Sequence, residues 1–236
     1  MIDALVHVST GGFYRGQLDR AGKLPFTVAL PQGYEPRYPY PLLVMLHCSG
    51  QDESQWLQAL PSTGRRNYVG LALRGPYKVD RPDGPPKFSW GGCEDDAILD
   101  EYLFAAIEQT MRGVHVHTER IFLVGLSEGA RVCYRTGLFY PGRFAGIAAF
   151  DTALPPGCLS SLRRLGPQTL SILIGHRQEN PHVTLDESQQ AARLLWSAGF
   201  NVTLRIYSSG RPIQNWMLRD LDRWVVAHCD PAAKSR

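Results

Sequence analysis

Hydrophobic residues in this chain gather in short continuous runs separated by longer amphipathic stretches. Residues 41–47, 67–73, 121–126, 144–150 and 169–174 are dominated by apolar side chains over strand-like lengths. Runs of this kind mark strands covered on both faces, as in a parallel sheet. Residues 4–9 and 202–207 instead alternate apolar with polar positions, as edge strands do. Residues 24–30, closed by Pro31, Gln32 and Gly33, predict a further strand. It pairs with 4–9 as an opening antiparallel hairpin, across turn signals at Gly11, Gly12 and 19–23.

Helical patterns fill the intervals. Asp52 and Glu53 place negative charge at the first turn of a short helix reaching Leu60. Glu94, Asp95 and Asp96 open a longer one to Arg112, with Ile98, Tyr102 and Ala105 beside Leu99, Leu103 and Ala106 as its apolar stripe. Residues 130–140 continue as a helix that stops before Pro141, and 185–198 and 213–227 give two more. Strands separated by helices predict an α/β fold, a mostly parallel sheet with helices on both faces. Ligands of such sheets bind outside the carboxyl ends of the strands. His47, Ser127, Asp151, His176 and Ser208 fall at those ends.

Two segments resist the pattern. Residues 151–166, with Pro155 and Pro156, read as a loop. Residues 74–92 hold four prolines and four glycines with Tyr77, Phe88 and Trp90 interspersed, and read as one wall of a pocket or as a loop pinned by its aromatics.

Composition narrows the possibilities. A chain of 236 residues, 44% hydrophobic, can bury one large core, so one domain over 1–236 is expected. The 25 basic and 22 acidic residues give a formal charge of +3 without a basic cluster, so no nucleic-acid partner is expected. No window approaches a membrane span, and residues 1–10 lack the basic and apolar regions of an export signal, so the chain reads as cytoplasmic with no membrane partner. Five scattered cysteines (Cys48, Cys93, Cys133, Cys158, Cys229) read as free thiols of a reducing compartment. His115 and His117 alternate as metal ligands can, but a third ligand is missing nearby, and neither metal nor cofactor is expected.

The most specific chemistry lies at 121–130, where an apolar run ends in Gly125, Ser127 and Gly129 as Gly-x-Ser-x-Gly and passes into a helix. A strand, a sharp turn and a helix in this order form a nucleophile elbow, which holds its serine in a strained conformation and needs small residues on either side.

This elbow, the order of elements, Leu46-His-Cys-Ser-Gly-Gln51 and the closing segment 217–224 together resemble the α/β-hydrolase superfamily. The closest branch resembles the small carboxylesterases, phospholipase/carboxylesterases and dienelactone hydrolases, over about 24–228. The resemblance implies an α/β-hydrolase fold with about eight strands and a small cap or none. It implies Ser127 as nucleophile, with an oxyanion hole made by the backbone amides of Glu128 and of Cys48 or Ser49. In the family a histidine deprotonates the serine and a carboxylate orients that histidine. The acid position is Glu179 counted from the strand ending at Ile174, the reading preferred here, or Asn180 aligned on Pro181. The family histidine follows the last strand, where this chain has Arg211. A guanidinium stays protonated and has no lone pair to accept a proton, so Arg211 cannot be a general base. His176 and His182, both placed in the acid loop, are the substitutes within reach.

Three functions are consistent with these residues. One is a carboxylesterase-like protein of weak or no turnover that binds a small ester or carboxylate. Another is an active serine esterase using His176 or His182. The third is a non-catalytic interaction protein.

Overall fold

A computed structural model describes residues 12–18, 24–60, 66–79, 84–92, 97–162, 170–208 and 210–229. The predicted strand at 4–9, Cys93 and the acidic triplet 94–96 lie outside them.

Eight strands form one sheet: β1 (Phe13–Gln17), β2 (Pro25–Ala29), β3 (Tyr40–Leu46), β4 (Val69–Leu73), β7 (Val116–Leu126), β8 (Gly146–Phe150), β9 (Ser171–Arg177) and β10 (Asn201–Tyr207). Their spatial order is β1-β2-β4-β3-β7-β8-β9-β10. β1 and β2 pair antiparallel, as do β2 and β4; every other neighbouring pair is parallel. β3, β4 and β8 are buried along their whole lengths, as their unbroken apolar runs require. The intervening pair β5 (Tyr77–Val79) and β6 (Lys87–Ser89) forms a separate two-stranded ribbon.

Among the described residues six α-helices cover the sheet: α1 (Ser54–Ala59), α2 (Ala97–Gly113), α3 (Glu128–Phe139), α4 (Cys158–Leu162), α5 (Leu185–Ser197) and α6 (Asn215–Cys229). Leu103 of α2, Tyr134 of α3, Cys158 of α4 and Leu195 of α5 share one buried cluster, whereas Trp56 of α1 and Leu221 of α6 belong to the other. The sheet thus has a core on each face, and this is the expected α/β-hydrolase architecture.

Several expectations need correction. The described partner of β2 is Phe13–Gln17, which the turn signals around Gly11 and Gly12 had obscured. Gly16 belongs to the strand because a Cβ there would stand 2.2 Å from the Phe26 ring. Residues 74–92 contain the β5–β6 ribbon, and 151–166 contain α4. The buried stripe of α2 runs through Leu99, Tyr102, Leu103, Ala106, Ile107 and Thr110, leaving Ile98 exposed. Glu53 gives no side-chain cap to α1; its carboxylate turns to Arg74, while Asp52 accepts from the Ser54 amide at 3.0 Å. β9 continues three residues past Ile174, because Gly175, His176 and Arg177 pair with Arg205, Ile206 and Tyr207.

Candidate active site

The elbow has the backbone its sequence demands. Between β7 and α3, Ser127 adopts φ 53° and ψ −113°. A non-glycine residue in such a region costs about 1–3 kcal/mol and persists only when its surroundings hold it. Here the Ser127 amide donates to the Phe150 carbonyl at 2.8 Å, and its own carbonyl accepts from Arg131 N at 3.1 Å. The flanking glycines are needed for close approach: a Cβ on Gly125 would lie 2.5 Å from Ala130 N, and one on Gly129 would lie 2.4 Å from the Leu46 carbonyl oxygen.

On one side of the elbow lies the loop after β3. The Cys48 amide donates to Gln55 Oε1 at 3.0 Å, and Gln55 Nε2 donates to Cys48 Sγ at 3.2 Å. Gln55 therefore occupies one of the two candidate oxyanion donors. Among the described residues the Ser49 amide has no recorded protein partner. Glu128 opens α3, where the helix itself offers its amide no acceptor. Of the candidate oxyanion amides, Cys48 is engaged by Gln55, whereas Ser49 and Glu128 have no protein acceptor among the described residues.

The Glu128 carboxylate has a different task. It accepts from Ser89 Oγ at 2.9 Å and from Trp90 N at 3.0 Å, fastening the end of the β5–β6 ribbon to the elbow. Trp90, buried, donates from Nε1 to the His47 carbonyl at 2.8 Å. His47 Nε2 accepts from the Gly75 amide at 2.9 Å, which assigns the ring proton to Nδ1, where it donates to the Cys48 carbonyl at 2.8 Å. Burial holds the His47 pKa below the ordinary imidazole value against the opposing pull of the Cys48 carbonyl and nearby carboxylates. Both ring nitrogens are engaged, so His47 shapes the loop. Phe88 and Trp90 pin the ribbon to the body, while Tyr77 stays exposed.

On the other side lie the ends of β8, β9 and β10. Asp151 follows β8 with φ 55°, and its side chain is 1% exposed. The Arg177 amide donates to Asp151 Oδ1 at 3.0 Å, and Arg177 Nε donates to Oδ2. Arg177 Nη1 reaches the Gly210 carbonyl at 2.9 Å. One guanidinium therefore ties the end of β8 to the loop after β10. Neither partner was assigned a role from sequence; the signal available was that Asp151 stood at a strand end.

The predicted acid and base positions behave differently. Glu179 is exposed, and among the described residues no hydrogen bond to its carboxylate is recorded. Asn180 Oδ1 accepts from the amides of His182 at 2.8 Å and Val183 at 3.1 Å, shaping the approach to α5. Arg211 is exposed, and its carbonyl accepts from Gln214 Nε2 at 3.0 Å. His176 belongs to β9 rather than to a loop, and its Nδ1 meets Ser188 Oγ of α5 at 3.0 Å. Burial lowers its pKa, as does the charge of Arg177, with Asp151 opposing both. His182 is exposed. Among the described residues no hydrogen bond joins the Ser127 hydroxyl to an imidazole. No group of three His, Cys, Asp or Glu residues among them could hold a metal ion, and no described helix is long and apolar enough to cross a membrane.

Known proteins resemble this chain in sequence and fold. Over 148 residues the chain is 30% identical to a probable carboxylesterase of Oryza sativa subsp. japonica, covering 61% of this chain and 55% of that protein. Acyl-protein thioesterase 1 of Mycosarcoma maydis is 28% identical over 182 residues, 66% of this chain and 76% of the relative. A ferulic acid esterase structure from Anaeromyces mucronatus superposes with a TM-score of 0.70 over 94% of both chains at 14% identity, a likeness of fold. The phospholipase/carboxylesterase family model matches residues 96–229, which contain the elbow and the ends of β8, β9 and β10. With that match over more than half its length, and with the elbow geometry described above, the chain belongs to the phospholipase/carboxylesterase family of α/β-hydrolases.

Proposed function

We propose that this protein is a carboxylesterase-like α/β-hydrolase that binds a small ester or carboxylate beside Ser127 and turns it over weakly or not at all. The observation that carries this reading is the Asp151–Arg177–Gly210 linkage. At the strand ends from which a triad draws its acid and base, the polar groups bond to one another, with an arginine at the centre. The guanidinium groups of Arg177 and Arg211 have no lone pair with which to take the serine proton. The Ser49 and Glu128 amides remain suited to a carbonyl or carboxylate oxygen. Cys48, Cys133, Cys158 and Cys229 are not joined in disulfides, which supports a reducing, cytoplasmic setting.

The magnitude is large enough to test. Loss of a triad base lowers turnover on the order of 10⁶-fold, leaving roughly 10³ to 10⁴ over water from binding and the oxyanion hole. Hydrolysis of p-nitrophenyl acetate by the wild type, Ser127→Ala and the double variant Arg211→His/Asn180→Asp measures it. The expected result is a wild type within about tenfold of Ser127→Ala and a gain of at least about 100-fold in the double variant. Efficient wild-type turnover abolished by Ser127→Ala would overturn the reading.

A further inference from the structure

At the end of the sheet opposite Ser127 lies a cavity of about 330 Å³. Its origin is local. Pro41, second in β3, has no N–H to give to β7. Across from it the pairing passes from Tyr40–Val116 to Leu42–Ile121, so a two-residue step on β3 meets a five-residue step on β7. Such a bulge bends the strand and re-aims its side chains. Arg120, the last residue before regular pairing resumes, lines the cavity, and Arg66 lines it from the segment preceding β4.

The cationic groups there are unpaired. Among the described residues neither Arg66 nor Arg120 has an ion-pair partner. Glu35 is the one carboxylate-bearing residue in the lining. Asp222 of α6 meets the same wall, accepting from the lining residues Tyr68, through Oη at 2.5 Å, and Asn67, through Nδ2 at 3.0 Å. Its carboxylate is thus engaged by neutral donors, and Arg66 and Arg120 are the charged donors of the lining left without an ion pair. The wall beside them is aromatic: Tyr38 packs edge-on against Tyr40 with ring centroids 4.7 Å apart and is 48% exposed.

We propose that this cavity is a second binding site, distinct from the elbow, for a small monoanion carrying a single ring, of the aryl carboxylate or aryl phosphate kind. The planar guanidinium fork matches both oxyanions, the tyrosines offer the ring a face, and the volume falls within the range of small-molecule sites. Glu35 and Asp222, two carboxylates at the same wall, select against polyanions.

The test titrates the full chain with benzoate, phenyl phosphate and benzylamine by isothermal calorimetry. Saturable binding of benzoate or phenyl phosphate is expected, and which of the two is tighter separates the carboxylate from the phosphate source. Benzylamine should not bind. Arg120→Gln and Arg66→Gln should each weaken the anion at least about tenfold, the effect of losing a charge-assisted hydrogen bond. Ser127→Ala should leave it unchanged, which separates this site from the elbow. Circular dichroism melting verifies that each variant is folded, and Arg66→Gln carries the test if Arg120→Gln is not. Absence of saturable binding by both anions, equal binding of benzylamine, retention of affinity in the folded arginine variants, or its loss in Ser127→Ala would each overturn the proposal.

Discussion

The elbow at the end of β7 and the polar cluster at the ends of β8, β9 and β10 lie one to three strands apart, and they obey different constraints. At the elbow the requirement is steric. Ser127 can hold φ 53° only if Gly125 and Gly129 let the α3 backbone and the β3 carbonyls come within contact, and they do. At the polar cluster a triad would require chemistry, a neutral base and a carboxylate facing it. Among the described residues, Arg177 joins these strand ends, bonded to Asp151 and Gly210. Packing can preserve the first arrangement without reference to catalysis. The second has to be built for proton transfer, and an ion pair that joins the same three strand ends serves folding equally well.

The largest expected effect tests whether the polar cluster is structural. Arg177→Met leaves the Asp151 carboxylate, 1% exposed, without its counter-charge. Breaking a buried pair by removing one partner costs about 3–5 kcal/mol. Urea denaturation of Arg177→Met, Asp151→Asn and the double variant should show the double losing less than the sum of the singles, as contacting groups do. Asparagine is the replacement of choice because it tolerates the positive φ of residue 151. A loss under about 1 kcal/mol for Arg177→Met would mean that the guanidinium is not a clasp, and the contrast with the elbow would fail.

A smaller effect is expected at the elbow. Gly129→Ala would set a methyl carbon 2.4 Å from the Leu46 oxygen and 2.5 Å from the His47 oxygen, both backbone atoms that cannot step aside alone. Overpacking of this kind costs about 1–3 kcal/mol. The shift should appear as a lower urea midpoint with an unchanged slope. A neutral Gly129→Ala would show that the close approach of α3 to β3 is adjustable and that sterics do not explain the motif.

The same division decides what the sequence reveals. The elbow was legible because its determinants, Gly125, Ser127 and Gly129, lie within five positions. The buried strands were legible because a parallel sheet needs unbroken apolar runs, as in β3 and β8. β1 was hidden because Arg15, Gly16 and Gln17 carry almost no hydrophobic signal, and its place is set by Phe26 across the ladder. The end of β9 was hidden for a related reason. Gly175, His176 and Arg177 read as loop residues, yet β10 pairs with all three, and Arg177 meets Asp151, 26 positions earlier in the chain. Spacing along one segment cannot report a bond between strand ends brought together by the fold. The alignment of Glu179 or Asn180 to the acid position depends on that same strand end. The observed roles, an exposed Glu179 and an Asn180 oxygen bonded to two amides, are tertiary facts.

The smallest effect concerns the loop after β3, on the side of the elbow away from the polar cluster. His47 is buried and neutral, with Nδ1 donating to Cys48 and Nε2 accepting from Gly75, and burial holds its pKa below the ordinary value of 6.5. Asp52, Glu53 and Glu128 pull the other way without reversing that shift. In the unfolded chain the imidazole titrates near 6.5, so below that pH the unfolded state binds more protons than the folded one. Stability contributed by the neutral ring is therefore complete above about pH 6.5 and declines as pH falls toward the lowered folded value. The buried His176 on Ser188 shifts in the same direction. Melting temperature should fall between pH 7.5 and 5.5, and His47→Gln, whose amide can both donate and accept, should flatten that slope while lowering stability at neutral pH. A wild-type slope of zero, or one that His47→Gln leaves intact, would mean that the ring is not held neutral. His47 would then count among the titrating groups of the loop after β3, and burial would not be what fixes that loop's bonds to Cys48 and Gly75.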